Sequence, residues 1–195
     1  MIKNKPFWRR IVVYLIYAAV CGLLQVTWPA TLAILGQSPD LTLVLAVLAG
    51  YLFGSQDAFL AGLSAGLARD LLAGRVLGLG MLLLLYAALA AAVLLQRFFK
   101  RNVFFGLLQV AFFTLAYEVM IVLITFLIPL QPDEPYGLLY LLARLPGQLP
   151  GQLLANLAAA VPLAFLLVFL GPYKRSQRLD GSDASFTGED AWRTS

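Results

Sequence analysis

Arg69 and Asp70 stand side by side inside the apolar stretch "GLSAGLARDLLAGRVLGLG", residues 62 to 80. Asp40 in "SPD", Glu118 in "FFTLAYEVMIVLITFLI" and Arg144 in "LLARLPG" sit in similarly apolar company. Ionisable groups are costly in such surroundings and as a rule face protein or a wet cavity. Asp70 and Glu118 are the residue types for paired-acid chemistry, which requires both groups at one substrate. They are expected at different depths, and the chain has no histidine and one cysteine, Cys21. That excludes an imidazole base, a disulfide framework and a Cys/His metal cluster. Cys21 lies in an apolar run and reads as a small lipid- or helix-facing residue. No catalytic, cofactor or metal residue is assigned, and the chain is expected not to be an enzyme.

The elements that position these residues follow from composition. Of 195 residues, 61% are hydrophobic and 12% charged, against roughly half and a quarter in soluble domains. Such a surplus cannot be buried in one water-soluble core, so the chain is expected to be an all-α integral membrane protein. Six apolar spans are read at 11–35, 41–53, 58–72, 77–95, 103–130 and 153–170, with five as the fallback count. The second and third are short for a bilayer core of about 30 Å, and suit a hairpin surrounded by protein or a thinned region. The opening "MIKNKPFWRR" resembles a signal peptide's start, but the apolar run that follows is long and lacks a cleavage site, so an uncleaved first span is expected.

Lys3, Lys5, Arg9 and Arg10, then Arg97, Lys100 and Arg101, then Lys174, Arg175 and Arg178 fall on one side if there are six spans. The positive-inside rule makes that side the cytoplasm. The net charge of +4 thus reports loops and anionic lipid headgroups rather than nucleic acid. The expected organisation is a basic cytoplasmic N-terminus at 1–10, a transmembrane domain at 11–172 and a disordered cytoplasmic tail at 173–195. Residues 136–145 are too short to span and are expected along the interface. In "SPD", Ser38 is expected as N-cap, Pro39 at the first helical position and Asp40 in the first turn.

Gly54, Ala58, Gly62, Gly66, Asp70, Gly74 and Gly78 recur every fourth position. Such a ridge of small residues lets another helix approach closely, either inside the bundle or from a partner. Asp70 falls near the end of its helix where the dipole disfavours an anion, and Arg69 points about 100° away from it. Its candidate partners are backbone N–H groups around 77–79, Arg75 and Arg144. A clamp on the following turn is the favoured role, and ligand or partner contact the alternative. Glu118 also needs a partner, with Arg69 a candidate if their spans touch. Proton-coupled transport and a buried structural pair would both use such an acid. Gln148, Gln152 and Asn156 share a helical face, as interhelical glue or the floor of an outer pocket.

The pattern Gly66-xxx-Asp70-xxx-Gly74-xx-Leu77-Gly78, after a span opening Pro39-Asp40-Leu41, resembles the bacterial rod shape-determining MreD family. The motif covers about a quarter of the chain; length, span number and basic ends are similar as well. The resemblance implies a non-enzymatic scaffold of the cell-elongation machinery in the cytoplasmic membrane. Such a scaffold binds the bitopic protein MreC and supports MreB, RodA and a class B penicillin-binding protein in peptidoglycan synthesis and cell shape. It also implies six transmembrane helices in a fold similar to the S component of energy-coupling-factor transporters, with an outer pocket near Asp70. A solute-binding S component, coupling through "AAVCG" at 18–22, is the alternative. Arg69 and the Ser/Gly-rich tail depart from the family pattern. The lipid bilayer and a second copy in a homo-dimer complete the expected partners.

Overall fold

A computed structural model describes residues 5–73, 78–94, 103–127 and 137–173. Among these residues there is no strand, and six α-helices carry the fold: α1 (Lys5–Val26), α2 (Leu41–Phe53), α3 (Ser55–Ala73), α4 (Leu79–Leu94), α5 (Val103–Leu127) and α6 (Leu138–Leu170). Three of them hold windows long and apolar enough to cross a membrane, Phe7–Val26, Phe104–Leu127 and Leu145–Leu170. α2 and α4 are shorter apolar helices.

The centre of the molecule is α2. Its 13 residues make about 20 Å of helix, less than the roughly 30 Å of a bilayer core. A helix apolar all round must be buried by protein or lipid; here Leu41 through Tyr51 are all buried, and each of the other five helices packs against it. The helix is capped by Asp40, whose carboxylate accepts from the Leu43 N–H at 3.1 Å. Asp40 therefore takes the capping role expected of Ser38, which is exposed and lies outside the helix. A carboxylate serves there better than a hydroxyl, because it also meets the positive end of the helix dipole.

One residue, Gly54, separates α2 from α3, and its φ of 98° is a conformation that L side chains rarely adopt. The chain thus reverses at once and lays α3 along α2. On α3 the small-residue ridge meets α4: a Cβ on Gly62 would stand 2.8 Å from the Leu85 Cα, and one on Gly66 would collide with the Met81 Cα. The ridge is an internal seam between α3 and α4, so it is not a surface kept open for a partner helix. Gly74 lies outside the described residues.

Two expected spans change. The first ends at Val26 rather than at 35, since Pro29 lacks a backbone N–H to continue the ladder; a 3-10 turn at Ala30–Leu32 and a bridge between Ile34 and Gln37 follow. At the other end, the expected interfacial piece and the sixth span are one helix, α6, whose 33 residues run through Pro146, Pro150 and Pro162. Each proline forfeits one ladder bond, yet none starts a new element. The outward faces of α1, α5 and α6 expose large apolar side chains, among them Leu24, Phe112 and Phe165. The expected tail lies outside the described residues beyond Tyr173.

The seam yields a contrast between two glycines. Gly66→Ala places a Cβ against the Met81 backbone and is expected to lower the thermal midpoint in detergent. Gly147→Ala in α6, with open space around its Cβ, is expected to raise stability by up to about 1 kcal/mol through helix propensity. Equal midpoints for the two variants would mean that α3 and α4 are not in close contact.

Candidate functional site

Five helices converge on a polar cluster beside the N-terminus of α2. Arg69, near the end of α3, donates from Nη1 to the Asp40 Oδ2 at 2.6 Å, and its guanidinium lies 4.8 Å from the centre of the Tyr117 ring on α5. The other Asp40 oxygen accepts from the Thr42 hydroxyl at 2.8 Å as well as from Leu43. Gln25 of α1 accepts from the N–H of Thr42 at 3.2 Å. From α6, the Asn156 carbonyl oxygen accepts from the Asp40 N–H at 2.7 Å and from Gln152 at 3.4 Å, while its amide donates to Thr114 of α5 at 3.0 Å. Asn156 is wholly buried. A half-satisfied buried network is worse than none, whereas a satisfied one fixes a unique packing.

Arg69 is thus partnered by Asp40, 29 positions away, and not by Glu118, a candidate only on condition that their spans touch. Glu118 is half-buried, and among the described residues no hydrogen-bond or ion-pair partner meets it. The Asp70 carboxylate, 5% exposed, accepts from the backbone N–H groups of Gly78 at 2.8 Å and Met81 at 3.1 Å. It turns inward to cap the start of α4, and Gly78 reaches its donor position with a φ of 105°. Of Arg144 only the backbone, within α6, is described; Arg75 lies outside the described residues. Gln25, Thr42, Thr114 and Tyr117 also belong to this site. Their signal is faint, each being a single polar or aromatic residue inside an apolar run.

A cavity of about 480 Å³ opens against this cluster, lined by Gln25, Thr42, Arg69, Asp70, Tyr117 and Thr125 together with apolar residues of α1, α3, α4 and α5. That volume lies within the range of small-molecule sites, and so does a mainly apolar wall with a few convergent polar groups.

A second polar cluster closes the opposite end of the bundle. Asp57, in the first turn of α3, accepts from the Tyr14 hydroxyl of α1 at 3.0 Å and from the Tyr173 hydroxyl just past α6 at 2.6 Å. The Arg10 guanidinium lies 4.9 Å from the Tyr173 ring centre and donates to Gln56 at 3.1 Å. The two ends of the described chain therefore meet. Sequence spacing gave no hint of this, because Asp57 sits in "GSQD", which reads as a loop.

Two measurements follow from these clusters. Removing one member of a buried ion pair costs about 3–5 kcal/mol, while replacing both can be nearly neutral. Arg69→Met alone should therefore destabilise more than Arg69→Met combined with Asp40→Asn, as read by unfolding in denaturing detergent; additive losses would mean the pair is uncoupled. Asp57 lies outside the apolar span, and burial lifts its carboxyl above the ordinary carboxylate range, with the two tyrosine hydroxyls and Arg10 pulling the other way. A raised value adds stability below the ordinary pKa of about 4 and loses it as pH climbs through the raised one. The thermal midpoint should fall over that climb relative to Asp57→Asn, and parallel curves for the two proteins would refute it.

Residues 1–142 match the family described as 5TMR of 5TMR-LYT, a designation that denotes five transmembrane segments. The matched stretch contains α1 to α5 entire and only the first residues of α6. No curated protein and no solved structure matches the chain. This match overturns the resemblance to the MreD family, and with it both the MreC-binding scaffold and the transporter S component. The glycine and aspartate spacing that carried the resemblance is the α3–α4 seam with its Asp70 cap, which solves a packing problem and specifies no partner. The chain belongs to the 5TMR of 5TMR-LYT family.

Proposed function

We propose that this protein is a non-enzymatic sensory or regulatory module embedded in the cytoplasmic membrane. Its family points to that class. The observation that carries the reading is the Asp40–Arg69–Tyr117 cluster, a buried charge network facing a cavity in an otherwise apolar bundle. A ligand or field can shift a two-state equilibrium only through a difference in its interaction with the two states. The cluster supplies such a difference, since any change in the Asp40–Arg69 pair alters how α3 sits against α2 and α5. α3 also carries Asp57, twelve residues and so about 18 Å away, where it is tied to Tyr14 and Tyr173. A displacement of α3 at one end is thereby felt at the end where both termini of the bundle lie.

In this reading all six helices traverse the membrane region in alternating directions, α2 and α4 shielded by their neighbours. The end bearing Arg10 and Tyr173 is cytoplasmic, in keeping with the basic residues around it.

Two experiments test the proposal. With Cys21 replaced by alanine, a membrane-impermeant maleimide should label Ser38→Cys in intact cells, and Ser55→Cys only after permeabilisation; the opposite pattern reverses the orientation. In the native host, Arg69→Gln should change a confined set of transcripts or phosphoproteins in the same direction as deletion, with the variant still present in the membrane. No change in either strain would sink the regulatory role.

A further inference from the structure

The cavity beside the Asp40–Arg69 pair has walls whose hydrogen-bonding capacity is largely unspent. Arg69 has five N–H donors, and among the described residues Asp40 takes one of them. Gln25 accepts from the Thr42 N–H, but its own amide N–H groups meet no acceptor among the described residues. Tyr117, 7% exposed, borders the cavity, and its hydroxyl has no partner among the described residues. A buried hydroxyl left so is costly, unless an occupant answers it. Asp70 holds the opposite capacity. Its Oδ2 accepts from both the Gly78 and Met81 N–H groups, while no donor among the described residues meets its Oδ1.

Charge narrows the choice of occupant. Arg69 is balanced by Asp40, so among the described lining residues Asp70 leaves the chamber net negative. A simple anion would answer Arg69, Gln25 and Tyr117 but would stand uncompensated against Asp70. A simple cation would answer Asp70 but leave three donor side chains unmet and face the Arg69 charge. A molecule carrying both groups satisfies both sets, and its own charges cancel. The rest of the wall is aliphatic, formed by Val26, Leu72, Leu79, Ile121 and Ile124, and suits an apolar remainder. A separate groove between α4 and α5, lined by Leu82, Tyr86, Phe113 and Met120 and opened by Ala87 and Ala116, is almost wholly apolar and selects no such chemistry.

We propose that this chamber binds a free amino acid with an aliphatic side chain, its carboxylate at Arg69, Gln25 and Tyr117 and its ammonium at Asp70. The assignment rests on the reading of this cavity as the sensory site and names its ligand class. Its test reads binding to the purified chain and not output in the host, so either can fail alone.

The full chain in lipid nanodiscs is equilibrated with radiolabelled L-leucine, L-isoleucine or L-valine. Bound label is then competed with isocaproate, which is leucine without its amine, and with isoamylamine, which is leucine without its carboxylate. Saturable binding is expected, with each analogue weaker than unlabelled leucine by about tenfold or more, the loss that accompanies one charged hydrogen bond. Tyr117→Phe removes a hydroxyl that makes no hydrogen bond among the described residues, and is expected to weaken leucine binding about tenfold. Asp70→Asn is expected to erase the preference for leucine over isocaproate, a change that loss of a cap on α4 would not produce. Should that variant not fold, the analogue series and Tyr117→Phe decide. No saturable binding of any of the three amino acids, equal affinity for leucine and either analogue, or full affinity in Tyr117→Phe would each overturn the proposal. So would a co-purifying phospholipid that leucine does not displace and whose removal leaves the chamber unable to bind leucine.

Discussion

The bundle depends on the ion pair between Asp40 and Arg69. Asp40 caps the helix that every other helix touches, and its carboxylate sits where that helix's own dipole is positive. One oxygen holds the first turn of α2 together, and the other holds the end of α3 to it. The backbone N–H of the same residue fixes α6 through Asn156, and Asn156 fixes α5 through Thr114. Four helices are thus registered at one depth by the surroundings of a single residue. A purely apolar core would pack as tightly but would leave their relative heights less specified, since apolar contacts carry no direction.

α3 links this arrangement to the far end of the molecule. It is packed to α4 at backbone distance along Gly62 and Gly66, closed above by the Asp70 cap on α4 and below by Asp57. α3 is therefore joined to α4 along the seam and at the cap, and to α1 and the residue just past α6 at its other end. α4 and α5 meet across the apolar groove, whose alanines leave space that larger side chains would fill.

The family correction carries a physical lesson. Glycines at four-residue spacing, ending in an aspartate, answer a recurrent need in membranes: close helix approach, then a turn whose free N–H groups must be satisfied. Any bundle with that need can arrive at the same string. The resemblance reported local geometry faithfully, but geometry of that kind does not name a partner. The match over residues 1–142 draws on the whole of α1 to α5, and so it discriminates where the motif did not.

The sequence by itself determined the helical, membrane-borne class, because its apolar surplus and 3.6-residue spacing admit few other solutions. It also determined the close-packing role of Gly62 and Gly66 in outline, and that Asp70 would need donors other than its neighbour Arg69. Only the tertiary structure decided which charges meet. Asp40 and Arg69 stand 29 positions apart, and Asp57 and Tyr173 stand 116 apart; no helical period connects them. Nor does periodicity report continuity, so α6 ran on through its prolines where the sequence suggested two pieces. Burial of α2 on every side, which turns a helix too short to span into the core, exists only once five other helices surround it.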